Sequence, residues 1–189
     1  MAIVIAGTPG VGKTTVARLL AERTGKPYVD LAEVVKREKF YTAYDAVRES
    51  YIVDVERLRG YLEKTLTCNE IIDTHVVEAL PPSKVSVAIV LRLDPLVLRE
   101  RLIKRGYPDL KVRENVEAEI LDAVLISAVQ SIGEERVYEV DTTGKSIAEV
   151  TEIITQILTK NGNLYRPGGV NWLEKYYFLI GKEGELFKF

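Results

Sequence analysis

Residues 2–15 read Ala-Ile-Val-Ile-Ala-Gly-Thr-Pro-Gly-Val-Gly-Lys-Thr-Thr. The apolar run 2–6 predicts a central strand of a parallel sheet, buried on both faces. From Gly7 to Thr14 the chain fits Gly-x-x-x-x-Gly-Lys-Ser/Thr without exception. Val16, Leu19 and Leu20 then fall at helical spacing, so a helix is expected over 13–24. A glycine-rich turn between strand and helix can wrap a phosphate and aim several N–H groups at it. Gly10, Val11 and Gly12 supply that backbone. Lys13 is placed to reach β and γ phosphates, the Thr14 hydroxyl to coordinate Mg²⁺, and Thr15 to add a hydroxyl near the α-phosphate. An accidental glycine-rich turn is the plain alternative, and motif, flanks and position all speak against it.

Outward from this point, strands and helices alternate. Gly25 and Pro27 stop the first helix, Tyr28-Val29 begin a strand, and Asp30 is suited to cap a helix over 31–38. Residues 39–53 are tyrosine-rich and read as irregular. A helix over about 54–66 precedes strands at 70–73 and 85–93. Asp94-Pro95 opens a helix to about 105, a long helix is expected over 113–132, then a strand at 137–140 and a helix over 146–158. The alternation predicts an α/β fold with a mainly parallel sheet.

With 189 residues, one domain is expected, and 47% hydrophobic residues are enough for a sizeable core. Twenty-six Lys and Arg against 28 Asp and Glu argue against bulk nucleic-acid binding. The single Cys68 excludes a disulfide framework or a cysteine-rich metal site. No apolar run reaches membrane length and the start lacks a signal-peptide layout, so a soluble, cytoplasmic protein is expected. The tail differs: residues 161–189 hold seven of the fifteen aromatics. Tyr176–Ile180 and Glu185–Phe189 flank Gly181-Lys182-Glu183-Gly184, which reads as a β-hairpin that packs on the sheet edge or docks a partner.

Three further features point to chemistry. Asp73, closing Glu70-Ile71-Ile72-Asp73, is the natural acid to hold the Mg²⁺ shell beside the loop. His75, the one histidine, follows a strand end near the phosphate site, where it could orient a water or couple the metal geometry to the next loop. Six basic residues lie between Arg99 and Arg113, with Arg101 and Arg105 on one helix face to stabilise a transferring phosphoryl group. Gly106 and Pro108 suit a mobile flap there.

These motifs together resemble the adenylate kinase family, and within it the archaeal and nuclear-type branch whose eukaryotic members are adenylate kinase isoenzyme 6. The resemblance is carried by Gly7–Thr15, Asp73-Thr74-His75, Arg101-Leu102-Ile103-Lys104-Arg105-Gly106-Tyr107, and Asn115 with Glu119. It covers about residues 1–160, with 161–189 as a C-terminal extension. It implies a three-layer P-loop fold on a five-stranded parallel sheet, a nucleoside-monophosphate-binding insertion at about 30–53 and a short lid at about 103–113. It implies ATP and Mg²⁺ as ligands, AMP as phosphoryl acceptor, ATPase activity and, in this branch, a small-subunit ribosomal protein as partner. Arg105 matches the ATP-contacting lid arginine, Asp73 the acid on the strand, His75 the branch histidine. Where ordinary members carry Thr-Gly-Asp-Leu-x-Arg, this chain has Leu31-Ala32-Glu33-Val34-Val35-Lys36, so a lysine stands in for an acceptor-side arginine. Asp73-Thr74-His75-Val76-Val77 lacks the arginine of the usual Asp-Gly-Phe-Pro-Arg. A kinase of the shikimate type normally shows a second Asp-x-Asp and a Gly-Gly pair, and this chain has neither.

Overall fold

Strand β1 (Ala2–Ala6) is buried at every position, with Ile3 and Ile5 turned into one half of the core and Ala2, Val4 and Ala6 into the other. That is why the run is apolar throughout rather than alternating. In the computed structural model, which describes residues 1–159 and 162–181, β1 is the middle of a five-stranded parallel sheet. The chain continues through α1 (Lys13–Thr24), β2 (Tyr28–Asp30), α2 (Leu31–Arg37), β3 (Tyr41–Asp45), β4 (Ser50–Val53), α3 (Val55–Thr65) and β5 (Ile71–Thr74). It goes on through β6 (Val85–Arg92), α4 (Pro95–Lys104), α5 (Asp109–Ile120), α6 (Ala123–Ile132), β7 (Val137–Asp141), α7 (Ile147–Thr159) and the short α8 (Trp172–Tyr176).

The sheet order is β2-β5-β1-β6-β7. One face packs against α1, α4, α5, α7 and α8, the other against α2, α3 and α6. Register sets the position of the site. Ile5 lies opposite Asp73, and Asp73 opposite Asp30, so two carboxylates arrive beside the point where β1 enters the glycine loop. β1 has a neighbour on each side whose connections run in opposite directions, and ligands bind at such switch points, beyond the carboxyl ends of the strands.

Three expectations need correction. Residues 39–53 are not irregular: β3 and β4 form an antiparallel hairpin, with Tyr44 opposite Tyr51. The expected long helix over 113–132 is two helices, because Asp122 takes a left-handed conformation (φ 55°) between α5 and α6. The expected first arm of a C-terminal hairpin is helical. Asn171 accepts the N–H of Glu174 as a cap, and Trp172 and Tyr176, four apart, turn into the core together. The expected second arm, 185–189, lies outside the described residues.

The described tail is thus part of the packing on the α7 face of the sheet. Tyr176 donates its hydroxyl to Asp94 Oδ2 at 2.5 Å and Lys175 donates to the same oxygen at 3.0 Å, while Asp94 Oδ1 caps α4 through the Leu96 N–H. No helix among the described residues is long and apolar enough to cross a membrane.

Candidate active site

The loop that leaves β1 is shaped by close approaches as much as by flexibility. Gly7 has φ 140°, and a Cβ there would stand 2.5 Å from the Leu91 carbonyl oxygen of β6. Gly10, at φ 100°, lies against Leu98 and Leu102 of α4 with no room for a side chain. Gly12 ends the loop as the N-cap of α1, and no side chain caps that helix. Its first N–H groups are therefore available to an anion, as at other phosphate-binding helix starts.

Lys13 is buried, and its ammonium donates to the Thr8 carbonyl across the loop at 3.2 Å. Burial pulls its pKa down to about 8, against the opposing pull of Asp73 and Glu119. Thr14 Oγ1 donates to Asp73 Oδ2 at 2.6 Å, and the Tyr28 hydroxyl donates to the same oxygen at 3.2 Å. Burial raises the pKa of Asp73, with the Thr14 bond and Lys13 working the other way. The hydroxyl and carboxylate are hard oxygen donors already side by side, and no group of three or more His, Cys, Asp or Glu suited to a metal occurs among the described residues. That donor set fits Mg²⁺, which takes one or two protein ligands and fills its shell with phosphates and water.

These groups open into a cleft of about 590 Å³. Gly10, Lys13, Thr14, Asp73, His75 and Arg105 all line it, so six of the site residues expected from sequence come together. The others stand off its wall. Val11 is buried, with its N–H on the Thr8 carbonyl, and Arg101 approaches the Val11 carbonyl (3.5 Å) from outside the loop. Thr15 is exposed in the first turn of α1. His75 lies on the cleft wall with its side chain exposed there, and the surrounding walls, Lys13 and Lys111 together push its pKa down to about 4, so its imidazole is neutral near pH 7.

The opposite wall contains residues to which sequence reasoning gave no role. Lys111, one of the six basic residues counted in the flap, reaches into the cleft from α5, donates to the Glu49 carbonyl at 3.2 Å and lies over the Tyr107 ring at 4.5 Å. Burial lowers its pKa, Glu49 opposes this, and nearby Lys36 adds to the lowering. Two ammonium groups close enough to repel each other in one cleft are poised for an anion. Tyr44 and Tyr51 of the hairpin, with ring centroids 5.1 Å apart, supply an aromatic surface. Arg48 bridges this hairpin to α5 through Glu114 (2.6–3.1 Å). The signal for Lys111 was its charge alone, and its direction depends on how α5 packs.

The AAA domain family matches residues 3–122. A Methanocaldococcus jannaschii protein curated as "Putative adenylate kinase" is 41% identical over 183 residues, covering 94% of this chain and 96% of the relative. A Pyrococcus abyssi protein of the same name is 42% identical over 181 residues, covering 95% and 96%. The chain belongs to the adenylate kinase family. Solved structures extend the likeness of fold beyond that family. A shikimate kinase from Acinetobacter baumannii matches this adenylate kinase family member with TM-score 0.58 at 20% identity, over 83% of this chain and 92% of that one. One from Aquifex aeolicus matches with TM-score 0.50 at 22% identity, over 84% and 96%. At such identities the match is one of architecture: the same P-loop sheet with helices on both faces.

Proposed function

We propose that the cleft transfers the γ-phosphoryl group of ATP to AMP, giving two molecules of ADP, and that it also hydrolyses ATP. The observation that carries this reading is one cleft with two sets of cations. Lys13 and the loop N–H groups serve the triphosphate, and Lys36 and Lys111 stand on elements outside the loop, suited to a second phosphate. Thr14 and Asp73 would hold Mg²⁺, which when bound neutralises phosphate charge.

In the transfer, the bond from the γ-phosphorus to the β,γ-bridging oxygen breaks, and a bond forms to a phosphate oxygen of AMP. The acceptor oxygen is already ionised, so no general base is needed. The work left to the protein is alignment and neutralisation of charge. Arg105, at the cleft edge after α4, is the lid cation for the transferred group, and Arg101 acts from behind the loop through the Val11 carbonyl. Tyr44 and Tyr51 offer the acceptor base a flat apolar wall. Neutral His75 can orient a water for hydrolysis without repelling the metal.

Assays of ADP formation at fixed ATP, with and without AMP, test this. AMP is expected to accelerate ADP formation and to be phosphorylated. If it does neither, the kinase reading fails.

A second reading makes ATP hydrolysis the main activity, in an assembly factor engaging a small-subunit ribosomal protein. The observation in its favour is that Lys36 and Lys111 are point charges, without the two-pronged grip an arginine gives a phosphate. A pull-down from ribosomal lysate retaining no ribosomal protein would count against it.

A further inference from the structure

Behind the loop, and outside the cleft lining, lies a buried charge cluster that the transfer chemistry does not use. Arg92, at the end of β6, is almost inaccessible and faces three carboxylates: Glu119, Asp122 and Glu139. Its Nε donates to Glu119 Oε1 at 2.8 Å, its Nη2 to the Glu119 carbonyl at 2.8 Å, and its remaining N–H groups to Glu139 and Asp122. Glu139 Oε2 in turn accepts the N–H groups of Gly168, Gly169 and Val170 at 2.9–3.2 Å. The cluster therefore runs from the C-terminal segment to α5.

Its other end is the phosphate loop. Glu119 Oε2 accepts the hydroxyl of Thr8 at 2.5 Å, while Oε1 also holds the Leu93 N–H at 3.1 Å. Thr8 is itself buried and absent from the cleft wall. Its carbonyl takes both the Lys13 ammonium and the Val11 N–H. A buried ion cluster is a weak source of stability, since well-packed apolar residues often do as well or better. What it supplies is geometry, because each of its groups is fixed by the others.

We propose that Glu119 is a positioning residue of the phosphate loop: by accepting the Thr8 hydroxyl it fixes the Thr8 carbonyl that aims the Lys13 ammonium. Arg92 holds Glu119 in place, and Glu139 ties Arg92 to residues 168–170. The inference rests on the reading of the loop as the ATP site, but not on AMP as acceptor.

ATP binding by calorimetry and thermal unfolding of the full chain test it, using Thr8→Val, Thr8→Ser and Glu119→Gln. Thr8→Val removes the donor but keeps the branched shape. It is expected to weaken ATP binding about tenfold through the misplaced Thr8 carbonyl, and to lower the thermal midpoint by a few degrees, because Glu119 Oε2 is left buried without a donor. Thr8→Ser restores the hydroxyl and is expected to restore affinity to within about threefold. Glu119→Gln keeps the side-chain shape and provides the measure should Thr8→Val not fold; it is expected to weaken ATP binding about threefold or more. Parent-like affinity in both Thr8→Val and Glu119→Gln would overturn the proposal, as would equal losses in Thr8→Val and Thr8→Ser. Because the readout is ATP binding, the proposal can fail while AMP is still phosphorylated. Conversely, the kinase reading can fail while these affinities shift as expected.

Discussion

A lysine under a phosphate loop is often treated as a fixed charge, yet Lys13 is held near its own titration point by burial. With a folded pKa of about 8, lowered from 10.5, the free protein carries the charge below about pH 8 and sheds it above. Bound phosphates favour the charged form, so above that pH binding must take up a proton. ATP affinity is therefore expected to fall as pH rises beyond about 8, and calorimetry in buffers of different ionisation enthalpy near pH 9 should show proton uptake. Binding with no uptake there would contradict it. His75 has the opposite visibility: with its pKa near 4, its NMR titration in the free protein should show no midpoint near the ordinary 6.5. Lys111 is argued to meet the acceptor, so Lys111→Ala should raise KM for AMP about tenfold and leave KM for ATP within about threefold. Equal effects on both constants would remove it from the acceptor side.

At the scale of elements, the tail is the clearest case. Trp172 is 9% exposed and sits in the same hydrophobic cluster as Leu20, Ile89 and Ile154. Truncating it to alanine should cost about 3–5 kcal/mol, read as a lower denaturant midpoint; a loss under about 1 kcal/mol would mean that α8 is peripheral. Its helical form is legible in retrospect from the Asn171 cap and the four-residue spacing of Trp172 and Tyr176, where a glycine-containing turn further on suggested a hairpin. The parallel strands and the loop were legible because their information is local: continuous apolar runs, capping aspartates and motif spacing. The β3–β4 hairpin was not, because its turn holds no glycine or asparagine. Asp45 makes the turn instead by accepting the N–H groups of Val47 and Arg48, with Glu49 at φ 46°. Nor was the break between α5 and α6, whose Asp122 is held by Arg92 from 30 residues earlier in the chain.

Across the whole molecule, β1 gathers the site by adjacency. Its register with β5 brings Asp73 to the loop, while α2, the hairpin and α5 close the far wall. The bridge from Arg48 to Glu114 over that wall is half exposed, so it is screened by salt and contributes little to holding the cleft shut. Lys36 was legible from the sequence as the stand-in for an acceptor-side arginine, and the cleft does include it. The place of Lys111 on the same wall and the bond of Glu119 to Thr8 were not legible, because they depend on how α5 packs and no spacing rule connects them. Phosphoryl transfer between two nucleotides in one cleft is tested by following ATP labelled at the γ-phosphate in the presence of AMP and Mg²⁺, with the Lys13→Ala variant beside the parent. Label is predicted to appear in ADP with the parent and to be lost with the variant. Label found only in inorganic phosphate would contradict the account.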